Sequence, residues 1–363
     1  MPDNSPMKKS VVLQALLAVL WLAGCKQGAE PGKDPLANIP YEKLSDYGFF
    51  TGNLADLQPA AGVIPYDLTT PLFTDYAQKA RFIVVPAGAT VPYNDYDQLE
   101  FPVGTVLVKN FYYADDLRQP EKGRTIIETR LLVHFDSGWD AFLYLWNNEQ
   151  TEAYLSVIGI TQQISYIDEA GNSREINYVV PNKNDCKGCH NLHNRFTPIG
   201  PKARYLNRDY AYPEGNKNIL TKLAEEGVLT GLPDLSQVPA GVVWDDPTTG
   251  SLEERARTYL DINCGHCHRP MGPANHSGLF LYKHETDPYR LGFCKRPVAA
   301  GEGSGGLDFD ILPGDAAASI VLYRMKSTKP GVMMPELGRT VQHTEAIALI
   351  EEWINSLPPE NCN

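Results

Sequence analysis

One five-residue pattern occurs twice in this chain. Cys186-Lys187-Gly188-Cys189-His190 and Cys264-Gly265-His266-Cys267-His268 each set two cysteines three positions apart, with a histidine directly after the second. This is the attachment pattern of a c-type haem. Each sulfur takes one vinyl group of the porphyrin as a thioether, and the histidine supplies an axial nitrogen to the iron. The expectation is two covalently bound haem c groups, held by Cys186, Cys189 and His190 and by Cys264, Cys267 and His268. A fold that encloses two such groups gives them part of its interior. A loop-rich composition, with 30 Gly and 28 Pro in 363 residues, agrees with that. Zinc is the competing chemistry, because tetrahedral Cys/His sites use the same CxxC spacing. Against zinc stand the histidine after each second cysteine, an export-like N-terminus and a Met-Pro loop near the C-terminus.

The N-terminus reads as a targeting segment, residues 1–25. Lys8 and Lys9 precede an apolar run over 11–22, the length of a signal-peptide core and too short to span a bilayer comfortably. The run ends in Leu22-Ala23-Gly24-Cys25, which resembles the lipobox of bacterial lipoproteins. That resemblance implies lipid on Cys25 and a protein anchored to a membrane surface. In proteobacterial lipoproteins an aspartate after the cysteine tends to retain the protein at the inner membrane, so Lys26 implies the outer membrane, facing the periplasm. The alternative is an ordinary signal peptide ending near a cysteine. With Cys25 lipidated and four cysteines on haem, Cys294 and Cys362 remain, an even pair in an oxidising compartment. They are expected to form a disulfide; two free thiols are the alternative. An apolar fraction of 43% and a charged fraction of 21% point to folded cores. The net charge of −12 argues against a nucleic-acid surface and biases the chain toward basic redox partners.

Residues 26–40 carry Gly, Pro, Ala and Asp without apolar period and read as a tether. A β-rich domain is expected over 41–181, with strands at 81–85, 104–113, 125–135, 139–146 and 153–160, then a hairpin of 163–167 with 175–180. Such spacing suggests a sandwich or a partly open barrel. Its aspartates, among them Asp67, Asp75 and Asp97, are scattered in loops without the spacing of a calcium loop. His134, inside an apolar run, is either a satisfied strand histidine or a distal ligand to the first haem.

A first haem segment is expected over 182–245. The β-hairpin runs straight into the first pentad, where a small cytochrome has a helix. A helix follows over 218–227, stopped by Gly227. The last segment, 246–363, has a different order. A helix over 251–262 opens with Ser251 and Glu254, a capping box, and leads into the second pentad. A helix over 315–325, the loop Val332-Met333-Met334-Pro335 and a closing helix over 344–357 complete it. This order resembles the class I cytochrome c fold. The resemblance implies His268 as proximal and Met334 as distal ligand, the methionine directly before proline being favoured over Met333; a thioether there raises the potential. Arg324 and Arg339 either pair with haem propionates or are surface charges. No methionine lies between Lys26 and Pro270, so the first haem has no local Met. His193 stays on the proximal side, and His134, His276, His284 and His343 are candidates from elsewhere in the fold; a five-coordinate iron is the other possibility.

Further stretches carry a resemblance over the whole exported chain: Leu72-Phe73-Thr74-Asp75-Tyr76-Ala77, Phe101-Pro102-Val103-Gly104-Thr105, Trp146-Asn147-Asn148-Glu149-Gln150-Thr151, Pro198-Ile199-Gly200-Pro201-Lys202 and Met334-Pro335-Glu336-Leu337-Gly338-Arg339-Thr340. With them the chain resembles a family of bacterial di-haem c-type cytochrome lipoproteins. The resemblance implies haem binding and electron transfer with redox partner proteins, and supplies no substrate. The overall expectation is an α+β chain: a β-sandwich-like domain, an atypical haem segment and an all-α cytochrome c-like domain. A di-haem peroxidase or a haem-bearing oxidoreductase subunit is the alternative, and needs an open first iron with an acid–base group beside it.

Overall fold

The computed structural model describes Met1 and residues 38–362, so the expected signal segment, Cys25 and most of the tether lie outside the described residues. At the centre is a six-stranded antiparallel meander: β1 (Val63–Tyr66), β2 (Gln78–Val84), β3 (Val106–Ala114), β4 (Arg124–Phe135), β5 (Gly138–Trp146) and β6 (Ala153–Ser156), neighbours in space in that order. β-branched and aromatic side chains alternate along these strands, and seven of the nine residues of β3 are buried. Side chains on both faces of the sheet are therefore buried. Residues 41–59 cover one face: Leu44, Phe49 and Leu57 are buried, Phe50 meets Phe82 at 5.0 Å and the Tyr47 and Tyr144 hydroxyls lie 2.8 Å apart.

The other face is covered only at its ends. A separate hairpin, β7 (Ile160–Ile167) with β8 (Ser173–Val180), packs Ile164, Tyr166, Ile176 and Tyr178 against Phe111, Tyr113 and Leu143. At the opposite end, helices α2 (Ala203–Leu206) and α3 (Ile219–Glu225) pack on Ile64, Ile83 and Leu107. Between them the sheet presents a row of charge, Arg81, Lys109 and Arg130, paired across β2, β3 and β4. The expected strand over 153–160 is in fact two strands; between them Val157 and Ile158 are 80% and 65% exposed, and the chain turns there from the meander into the hairpin. The protein is mixed α/β and sheet-rich, with six helices among the described residues. Where a sandwich would have a second sheet, this protein has one hairpin.

Helix α1 (Lys183–Cys189) differs from expectation. The hairpin does not run straight into the first pentad: Asn182 accepts from the N–H groups of Asn184 and Asp185, and Asp185 accepts in return from the Asn182 N–H, so a capped helix carries the cysteines. The C-terminal helices α4 (Leu252–Asn263), α5 (Ile320–Lys326) and α6 (Thr344–Ser356) share one core, with Leu260, Leu322, Ile350 and Trp353 at its centre. The Ser251–Glu254 capping box forms as read. α5 starts five residues late because Asp315 accepts from the Ala318 N–H and its carbonyl from the Ser319 hydroxyl, which makes residues 315–319 a turn. None of the helices among the described residues is long and apolar enough to cross a membrane.

Cys294 and Cys362 are joined in a disulfide across 68 residues, strapping the C-terminal tail to the loop after the second pentad. Closing a loop of that length restricts the unfolded chain by about 4 kcal/mol in the chain-entropy picture. Replacing both cysteines with Ser should lower the urea midpoint by that free energy divided by the slope of unfolding free energy with urea. An unchanged midpoint would mean that the strap adds no stability.

Candidate functional site

Two cavities of similar size lie beside the two pentads. The first, about 440 Å³, is the gap between the charged row of the sheet and α1. Its walls include Cys186, His190, Lys109 and Arg130, with Leu107, Leu132 and Leu143 as apolar floor. A Lys183–Asp140 ion pair of 2.7 Å ties α1 to β5. The Nδ1 of His190 lies 3.2 Å from the Thr197 carbonyl. A carbonyl only accepts, so Nδ1 carries the hydrogen and the lone pair is left on Nε2. Burial, then the neighbouring Lys109 charge, pushes the pKa of His190 down to about 3, so the imidazole is neutral at ordinary pH.

The second cavity, about 410 Å³, is walled by Cys264, Cys267, His268, Leu279, Met325 and Met334, among others. His268 repeats the arrangement: Nδ1 lies 3.2 Å from the Leu279 carbonyl, and burial pushes its pKa down to about 4. Gly265 is needed inside this pentad, since a Cβ there would come within 2.8 Å of the Tyr282 Cα and the Asp261 carbonyl. Met334 lines the cavity and Met333 is not among its wall residues. The loop that presents Met334 is held from beneath by Arg339, which donates to the carbonyls of Met334 at 2.9 Å, Ser327 at 2.8 Å and Arg324 at 3.2 Å. Arg339 is only 6% exposed, so it is a clamp rather than a surface charge. Arg324 stands on the cavity wall, donates to the Val332 carbonyl and pairs with Glu336 at 3.8 Å.

The two pentads meet. Cys189 turns away from Cys186 and lies on the wall of the second cavity. Its sulfur, that of Cys267 and a ring nitrogen of His266 all lie within 4.8 Å of one another. The Cys267 thiol donates to Cys189, which lowers the pKa of Cys189 and raises that of Cys267. Among the described residues three donors converge here, one short of the tetrahedral set of a structural zinc site. Cys186 and Cys264 stand apart from this group, on the walls of the first and second cavities.

Three aspartates that sequence showed only as scattered or helical bind these parts together. Asp75, 2% exposed, accepts from the Thr340 N–H at 2.7 Å, the Thr340 hydroxyl at 2.8 Å and the Val341 N–H at 3.0 Å, fixing the far end of the Met334 loop; burial nevertheless raises its pKa. Asp97 pairs with Arg269, next to the second pentad. Asp261 on α4 accepts from Arg204 at 2.9 Å, from the Tyr205 hydroxyl and from the Lys283 N–H, with Lys202 at 3.6 Å. The first-cavity wall and the helix before the second pentad thus share one buried ion cluster.

None of the other candidate histidines lines the first cavity. His134 Nδ1 lies 2.8 Å from the Phe101 carbonyl and its ring stacks on Trp139 at 4.5 Å, a satisfied strand histidine. His284 is engaged with the Tyr96 carbonyl, His343 stacks on Phe73 and bonds the Tyr259 hydroxyl, and His193 sits in a turn with φ of +54°. His276 lines the second cavity. No protein-family model, curated protein or solved structure matches the chain.

Proposed function

We propose that this protein is a di-haem c-type cytochrome that passes electrons between redox partner proteins at a membrane surface. The observation that carries the reading is the repetition of one arrangement. Each pentad stands beside a cavity of about 400 Å³, inside the range of small-molecule sites, and each presents a neutral imidazole whose Nδ1 is held by a backbone carbonyl. The donor set fits: Cys264, Cys267, His268 and Met334 would hold one haem, and Cys186, His190 and Cys189, the last at the partition between cavities, would hold the other. Bound haem supplies an iron that cycles between ferric and ferrous forms with little change of geometry. The protein fixes the imidazoles, holds the Met334 thioether through Arg339 and brings the Cys189 and Cys267 sulfurs side by side. The α4, α5 and α6 core with its Met-Pro loop supports the class I cytochrome c reading of the C-terminal part. Anchoring through lipid on Cys25, at the outer membrane facing the periplasm, belongs to the same proposal.

The test is a count. Made in a host competent in cytochrome maturation, the chain should carry two haems by intact mass and by the alkaline pyridine spectrum. Cys186→Ala/Cys189→Ala and Cys264→Ala/Cys267→Ala chains should each carry one. Cys25→Ala should move the red protein from the membrane fraction to the soluble one. A colourless wild-type product would sink the proposal. The second reading, an enzyme with an open first iron, is favoured by one observation: His190 is the only His or Met on the first-cavity wall among the described residues.

A further inference from the structure

We propose that Nζ of Lys109 is the sixth ligand to the iron of the first haem. This rests on the haem reading and goes beyond it by assigning a ligand where the sequence offered only distant histidines or none. The other donors on the first-cavity wall are mostly engaged. Lys202 and Tyr205 are turned to Asp261, and Lys183 to Asp140. Arg81 and Arg130 pair with Asp67 and Glu128, and guanidinium has no lone pair to give. On the sheet side of the wall two polar side chains remain without a hydrogen bond or ion pair among the described residues, Lys109 and Tyr66.

Strand position separates them. Tyr66, Arg81, Lys109, Arg130 and Leu143 form one cross-strand row on β1 to β5. The helix bearing the first pentad is tied to β5 through Lys183–Asp140. Strands lie about 4.8 Å apart, so Lys109 is about 10 Å across the sheet from β5 and Tyr66, on the edge strand, about 19 Å. Lys109 stands at the centre of the row on a flexible stem, and its amine lies over the face of Phe111 at 4.7 Å, with the Lys79 amine 6.0 Å from the same ring. Three cations side by side repel one another. Its two neighbours have carboxylates and Lys109 has none. Bound to iron as the neutral amine, with its proton released to solvent, Lys109 relieves that repulsion and leaves Arg81 and Arg130 as cations.

The experiment uses the ferric holoprotein, its haem count, and near-infrared magnetic circular dichroism with electron paramagnetic resonance. Wild type should show two low-spin haems, one of them His/amine. Lys109→Ala should convert one of the two to high spin while the count stays at two, and Lys109→Met should replace the His/amine signature with a second His/Met one. Tyr66→Phe should change nothing. Unaltered signatures in both Lys109 variants, or a change confined to Tyr66→Phe, would overturn the assignment. So would a high-spin haem already present in wild type, which leaves the di-haem reading intact and favours an open site. A count below two in wild type would overturn the di-haem reading itself.

Discussion

On the di-haem reading proposed above, Met334→Ala should remove the one His/Met signature from the spectrum of the holoprotein and lower the potential of that haem by on the order of 100 mV, within the span that axial ligands command. The cause is the thioether, which favours ferrous iron relative to nitrogen or water in the same position. Met333→Leu is the control: Met333 is not on the cavity wall and should leave both spectrum and potential in place. The haem count should stay at two in both variants, because attachment depends on the pentads and not on the sixth ligand. If Met334→Ala keeps the His/Met signature, the ligand is another residue and the Met334 assignment is wrong.

The largest loss of stability is expected from Asp261→Ala. The carboxylate side chain is fully buried, and it faces Arg204 at 2.9 Å and Lys202 at 3.6 Å. Removing one member of such a cluster strands the others without a counter-charge, at a cost of about 3–5 kcal/mol. The same cluster sets a pH dependence. Burial alone pushes the Asp261 pKa up, but the Lys202 and Arg204 charges and the hydrogen bonds outweigh it and hold it well below the usual carboxylate value. A depressed folded pKa means that the stabilisation is complete above the unfolded titration near pH 4 and is lost as pH falls toward the folded value. Urea midpoints at pH 7 and pH 3 should therefore differ by less in Asp261→Ala than in wild type. An equal difference in the two would mean that other carboxylates carry the acid response.

The regular parts of the C-terminal region were legible because their signals are local. Ser251 and Glu254 are three residues apart and cap each other as read, and α6 follows its apolar period over Thr344–Ser356. Helix α1 was missed although its signal is also local: Asn182 and Asp185 form a capping box, but Pro181 and the preceding strand pattern pointed to an extended chain. The charged row was missed for a different reason. Arg81, Lys109 and Arg130 each sit in a different strand, and only the register of three strands brings them together over a cavity. Cys189 facing Cys267 is a relation between two motifs that sequence treats as independent. Arg339 looked like a surface charge because its acceptors are backbone carbonyls, which composition does not reveal.

The carboxylate of Asp75 reaches residues 265 and 266 positions later in the chain. A C-terminal fragment excised for separate study would keep the second pentad and Met334, yet lose the acceptor for two amides and a hydroxyl just beyond the loop. On the di-haem reading, such a fragment should grip a porphyrin by the sulfurs while its thioether wanders. The sheet region and the helical region thus share one buried carboxylate as a hinge pin, and neither keeps the Met334 loop in place alone.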